Sequence, residues 1–144
     1  MGIRAARAAD WPAIAILLDS LGYTGTHRFL EQQLSRLLNH PDERVLVYEE
    51  EGQLLAFISL HFIPQIALEG DFARISYFSV APEARSKGIG KQLEAYCTRL
   101  AQERHCDRIE VHCHEKRVDA HRFYYRQGYT ESPKYLVKGL RFKV

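Results

Sequence analysis

Ser76-Tyr77-Phe78-Ser79-Val80-Ala81-Pro82-Glu83-Ala84-Arg85-Ser86-Lys87-Gly88-Ile89-Gly90-Lys91-Gln92-Leu93-Glu94-Ala95-Tyr96-Cys97-Thr98-Arg99-Leu100 reads as the end of a strand, a basic glycine-containing turn and an amphipathic helix. Ile75, Tyr77, Phe78 and Val80 favour a pleated strand, and Pro82 ends that pattern because it has no N–H for a ladder. Gly88 and Gly90 let a ligand approach the backbone closely. The first N–H groups of the following helix have no intrahelical acceptors, so they can bind an anion. Arg85, Lys87 and Lys91 add positive charge there. The physical expectation is a phosphate or pyrophosphate on this turn.

Working outward, the first half reads as antiparallel, and strands and helices alternate in the second half. Ile3 to Ala8 predicts a strand. Asp10 is placed to cap a helix carrying Trp11, Ile14, Leu17, Leu18 and Leu21, closed by Gly22. A second helix, with Phe29, Leu30, Leu34, Leu37 and Leu38 on one face, stops before Pro41. Val45 to Glu49 and Leu54 to Phe62 predict a hairpin around Glu50-Glu51-Gly52-Gln53, and Phe72 to Val80 predicts the next strand. After the helix from Gly88 to Glu103, Ile109 to His114 predicts a strand with Glu110, His112 and His114 on one face. Val118 to Gln127 is a short helix closed by Gly128. Tyr129 to Glu131 and Tyr135 to Leu140 predict the last strands. The expectation is a single α/β (α+β) domain over residues 1–144. Its mixed, mostly antiparallel central sheet has about six to seven strands, with helices on both faces.

Composition narrows the function. Twenty Lys and Arg against 18 Asp and Glu give a net charge of +2, too small to argue for nucleic acid or a membrane surface. The three cysteines, Cys97, Cys106 and Cys113, form no CxxC pair and fit a reducing, cytoplasmic compartment. Met1 to Asp10 has no apolar stretch of the kind a leader needs, and no run of about 18 apolar residues predicts a membrane span. His112, Cys113 and His114 alternate across a strand, so they do not converge on a metal, and none is expected. The glycine turn is not a P-loop, which needs G-x-x-x-x-G-K-[ST], and the dinucleotide fingerprint fails at Leu93.

Val80-Ala81-Pro82 followed by Arg85-Ser86-Lys87-Gly88-Ile89-Gly90 resembles the central motif of the GNAT superfamily of acyl-CoA-dependent N-acyltransferases. Ala120-His121-Arg122-Phe123-Tyr124, with Gly128-Tyr129 after it, resembles a second motif of that superfamily, in the same order and spacing. The resemblance implies an acetyltransferase that moves an acetyl group from acetyl-CoA directly to an amine, the acceptor being a small molecule or a protein or peptide amine. It implies that main-chain groups of Phe78 and Val80 hold the pantetheine arm. The pyrophosphate then lies on the N–H groups of Arg85, Ser86, Lys87, Gly88, Ile89, Gly90 and Lys91. It implies Tyr124 as general acid to the departing thiolate, and a homodimer through the last strands.

The chemistry also needs an N–H donor for the carbonyl oxygen, for which Val80 is the candidate, and an acceptor for the amine's proton. Some relatives carry a glutamate near the position of Arg74, which cannot act as a base. Glu110 and His112, on one face of the next strand, are the candidates, with His61 and relayed water as further ones. The alternative to an enzyme is a non-catalytic domain that binds acyl-CoA as a sensor or interaction module.

Overall fold

The computed structural model describes residues 2–112, 117–132 and 136–141, and the chain divides into two compact units, Met1–His112 and Cys113–Val144. The first unit holds five strands in the order β1 (Gly2–Ala5), β2 (Glu43–Glu50), β3 (Gln53–Ile63), β4 (Phe72–Val80) and β5 (Arg108–Val111). The first four pair antiparallel, and β5 lies parallel to β4. The sheet is thus mixed and mostly antiparallel, as expected. The described residues contribute five strands rather than six or seven.

The hairpin between β2 and β3 closes on Glu51 and Gly52, with φ of 52° and 75°. Two successive left-handed residues match the twist of the strands they join. Helix α1 (Trp11–Leu21) is closed by Gly22 at φ 105°. Helix α2 (Leu30–Leu38) follows, and α3 (Ile89–Glu103) comes after the basic turn. Asp10 does not cap α1 through its side chain. Its carboxylate instead accepts the Arg7 N–H at 2.7 Å, closing a 3-10 turn, and takes two hydrogen bonds from the Arg4 guanidinium at 2.8 and 3.0 Å. The nearer donor, the Arg4 guanidinium, captures the carboxylate that a helix start would otherwise use.

The faces of the sheet follow from register. The Arg104 guanidinium, just past α3, sits 4.1 Å from the Phe62 ring centroid, so Phe62 marks the α3 face. Ser79 Oγ donates to the Leu17 carbonyl of α1 at 3.1 Å, marking the opposite face. Helices therefore cover both faces, and Ile58, Leu60, Ile75, Leu93, Val47 and Cys97 are fully buried in the core. Burial pushes the Cys97 thiol up to about 12, so it is packing material and not a nucleophile.

In the second unit, α4 (Val118–Arg126) ends at Gly128, whose φ is 97°. The Tyr129 N–H returns to the Tyr124 carbonyl at 3.1 Å. The expected strand at Tyr129 to Glu131 is not formed, and residues 136–140 carry no strand either. Leu136, Val137 and Leu140 are 90%, 65% and 88% exposed, so the apolar pattern there buries nothing and has no ladder to join. Residues 133–135 lie outside the described residues.

Two outcomes test this fold. The loop before β4 is tied down at Gly70, whose N–H donates to Asp107 Oδ2 at 2.7 Å and where an added Cβ would lie 2.3 Å from the His105 carbonyl oxygen. Gly70→Ala should cost about 2 kcal/mol and lower Tm by roughly 4–8 °C. An unchanged Tm would mean the loop does not hold this approach. The Arg4 hydrogen bonds, with help from the Arg7 N–H, hold the Asp10 carboxyl below its usual range. A depressed carboxyl contributes stability above its unfolded pKa of about 3.9, lost as pH falls through the folded value. Asp10→Asn should lower Tm by a few degrees at pH 7, with the difference from wild type shrinking below about pH 4. A difference independent of pH would contradict the ionic origin.

Candidate active site

The register between β3 and β4 slips by one residue. Ser59 faces Tyr77, but Leu60 faces Ile75, so Ser76 is the extra residue of a bulge in β4. Cross-strand partners share a face, so the bulge resets the alternation of β4. Arg74 faces with His61, and beyond the bulge Tyr77 and Ser79 face with Ser59 and Phe57.

The same register fixes where the main chain of β4 points. The Ala81 N–H donates to the Leu55 carbonyl at 2.8 Å, which makes 81/55 a bonded pair. Hydrogen-bonded and non-bonded pairs alternate in an antiparallel ladder. Val80 and Phe78, opposite Ala56 and Ile58, are therefore non-bonded positions whose N–H and C=O are directed away from β3. On that other side, β5 pairs with β4 only from Phe72/Arg108 to Ile75/Val111. Among the described residues the parallel ladder ends where the bulge begins. The main-chain N–H and C=O of Phe78 and Val80 are directed to this side of β4, beyond the last described pair with β5.

The basic turn follows. Pro82–Ala84 form a 3-10 turn, Arg85 is extended, and Arg85 Nε donates to the Val80 carbonyl at 3.2 Å. Ser86 and Gly88 are left-handed, with φ of 70° and 79°. Glycine takes that conformation freely, whereas serine pays about 1 kcal/mol or more for it, and such residues cluster at functional sites. The first intrahelical bond of α3 runs from the Gln92 N–H to the Gly88 carbonyl at 3.1 Å. The N–H groups of Ile89, Gly90 and Lys91 precede that ladder, as an anion site requires. Arg85, Ser86, Lys87, Gly88 and Lys91 are exposed. Ile89 is buried, so it anchors the turn through its side chain and can offer a ligand only its main chain.

The base candidates lie in a row across the sheet. Glu43 faces His61, His61 faces Arg74, and Arg74 faces Glu110, one residue from each of β2, β3, β4 and β5. Arg74 donates to Glu110 Oε1 through Nε at 2.8 Å and Nη2 at 2.6 Å, and Arg108 Nε lies 3.3 Å from Glu110 Oε2. Glu110 is therefore held by two guanidinium groups. His112 Nε2 is 3.7 Å from Glu110 Oε1, so the two expected base candidates do share a face. Cys113 and His114 lie outside the described residues. His61 Nδ1 is hydrogen-bonded to Glu43 Oε2, and His61 Nε2 to Ser76 Oγ at 2.5 Å. Glu43 and Ser76 carry no sequence signal of their own. His61, already a base candidate on the strand before β4, was the visible sign.

In the second unit Tyr124 is buried, edge-on to Phe123 and Tyr129 at 5.2 and 5.3 Å. Among the described residues there is no cluster of three or more His, Cys, Asp or Glu able to hold a metal, and no helix is long and apolar enough to cross a membrane.

Comparison with known proteins meets this geometry. The model of the acetyltransferase (GNAT) family matches residues 11–129. An aminoalkylphosphonate N-acetyltransferase of Salmonella typhimurium is 35% identical over 81 residues, 56% of this chain and about half (53%) of that enzyme's length. The peptidyl-lysine N-acetyltransferase YiaC of Escherichia coli is 33% identical over 135 residues, 88% of this chain and 82% of that one. An aminoglycoside N-acetyltransferase, AAC(6')-Iy, solved with CoA, superposes with a TM-score of 0.84 at 14% identity, over 97% of this chain and 94% of its own, a likeness of fold. The anion-ready turn and the match along residues 11–129 agree, and the chain belongs to the GNAT family of acetyltransferases.

Proposed function

We propose that this protein transfers an acetyl group from acetyl-CoA to a primary amine by direct attack. The observation that carries the reading is the turn whose N–H groups precede the α3 ladder, reached from a β4 whose described pairing with β5 stops at Ile75. An extended, amide-bearing arm such as pantetheine needs main-chain donors and acceptors along a strand edge, and Phe78 and Val80 direct theirs away from β3. A pyrophosphate needs converging N–H groups and cations, and residues 85–91 offer both. Acetyl-CoA supplies an activated thioester. The acceptor is a small-molecule or peptide amine, a reading supported by the phosphonate and lysine acetyltransferases this chain resembles.

The residues then divide the work. The Val80 N–H donates to the carbonyl oxygen as it gains charge. Holding amine and thioester in one site contributes several kcal/mol by orientation, on the order of 7 or more in favourable intramolecular cases. The Tyr124 hydroxyl gives its proton to the thiolate as the C–S bond breaks. For the amine's proton, Glu110 is already committed to Arg74 and Arg108, so another acceptor takes it. A homodimer through the C-terminal residues fits the exposure of Leu136, Val137 and Leu140. A reducing compartment fits the buried, protonated Cys97.

Thiol release from acetyl-CoA, followed with 2-aminoethylphosphonate and with a blocked lysine peptide as acceptors, tests the activity. Amine-dependent release is expected. Tyr124→Phe should lower kcat by about 100-fold or more while leaving acetyl-CoA affinity within a few-fold. Tight CoA binding with no thiol release across a broad amine panel would favour the non-catalytic acyl-CoA module instead.

A further inference from the structure

Three side chains outside the expected site make a connected chain. Glu43 on β2 meets the Nδ1 of His61 on β3, and the Nε2 of the same ring meets the hydroxyl of Ser76 on β4 at 2.5 Å. The carboxylate lies on one ring nitrogen and the hydroxyl on the other. That order fixes the imidazole through Nδ1–H and leaves the Nε2 lone pair for a proton from the hydroxyl. All three are partly buried, with side-chain exposures of 23% for His61 and 19% for Glu43, so the chain is neither solvated freely nor sealed in the core.

Its position matters as much as its order. Ser76 is the bulge residue, next after the last described pair of β4 with β5, and bulges re-aim side chains. Two residues on, Phe78 directs its main chain away from β3. At about 3.3 Å per residue, the Ser76 and Phe78 Cα atoms are roughly 7 Å apart. An amine attacking a thioester on this edge therefore lies within reach of the serine hydroxyl.

We propose that Ser76, His61 and Glu43 form the proton relay that deprotonates the acceptor amine, with Ser76 touching the substrate, His61 receiving the proton and Glu43 positioning His61. This rests on the acetyl-transfer reading above. As the amine nitrogen bonds to the carbonyl carbon, its proton passes to Ser76 Oγ, and the Ser76 hydroxyl proton passes to His61 Nε2. The C–S bond breaks and the thiolate takes the Tyr124 proton. The imidazolium, stabilised by Glu43, returns its proton to solvent, and the Tyr124 phenolate takes one back from solvent. The charged groups facing His61 are Glu43 from β2 and Arg74 from β4, with Glu110 behind Arg74. The carboxylate favours the imidazolium that forms. Arg74, tied to Glu110, is partly neutralised on the other side.

Two measurements test the relay, one of them independent of turnover. Nitrogen-15 NMR of the His61 ring should show, above neutral pH, a protonated Nδ1 and an unprotonated Nε2. Ser76→Ala should shift the Nε2 signal alone. Two protonated ring nitrogens up to pH 9 would make the chain a fixed ion pair, unable to accept a proton, and would overturn the proposal even in a protein with no detectable acetyl transfer. In kinetics with the two amines above, His61→Gln should lower kcat by about 100-fold and abolish the acid limb of the pH profile, with the KM for acetyl-CoA unchanged. Ser76→Ala and Glu43→Gln should give smaller losses in kcat, and Ser76→Thr should recover most of the first. Circular dichroism and Tm of the milder Ser76→Ala variant separate a lost proton path from a lost fold. A His61→Gln enzyme within twofold of wild type, or a loss that falls on His112→Gln instead, would contradict the relay. Absence of amine-dependent thiol release in the wild type counts against the acetyl-transfer reading and leaves the NMR result to decide the relay.

Discussion

One extra residue in β4 governs the rest of the site. Were Ser76 paired with Ser59 instead of bulged out, β4 would alternate without a break, and Tyr77 and Ser79 would turn to the α3 face. Ser79 would then lose its hydrogen bond to the Leu17 carbonyl of α1, and Tyr77 its edge-on contact with Tyr23 at 5.1 Å. The bulge also coincides with the end of the described pairing to β5. Beyond the bulge, the main-chain groups of Phe78 and Val80 are directed away from β3.

The turn after β4 continues the same logic. A strand edge can hold an extended arm but has no charge to offer a pyrophosphate. Left-handed Ser86 and Gly88 bend the chain so that α3 begins with unladdered N–H groups just past the edge, and buried Ile89 and Leu93 fix its direction. Lys87 and Lys91 lie exposed around it. Across the sheet from β2 to β5, the row Glu43, His61, Arg74 and Glu110 sets two basic side chains between two carboxylates, and each carboxylate bonds the basic group beside it. Such a row keeps polar side chains on a sheet face at modest cost. His61 is the member that bonds a neighbour on each side, Glu43 and Ser76.

The sequence was most legible where local chemistry decides. The limits of β4, Phe72 to Val80, follow from β-branched and aromatic residues ended by Pro82. The two glycines and flanking cations of the turn carried its anion-binding character, and helix α3 followed from the spacing of Leu93, Cys97 and Leu100. It was least legible where distant pairings decide. His61 stood out as a base candidate on the strand before β4. Its partners Glu43 and Ser76, 18 and 15 residues away, become its neighbours only through a two-residue hairpin and a one-residue slip in register. The Asp10 carboxylate was read as a helix cap because the nearby Arg4 guanidinium, which takes it, is a tertiary partner. The strand read into Tyr135 to Leu140 rested on propensity alone, and propensity without a partner strand builds nothing.

The central claim is that the β4 edge and the turn after it form one continuous acyl-CoA site. Amide chemical-shift mapping by NMR during titration with CoA tests it most directly. The predicted result is a contiguous set of large shifts at Phe78, Val80 and residues 85–91, with small shifts in β1 and β2. Shifts centred elsewhere in the molecule, or no saturable shift at millimolar CoA, would contradict it.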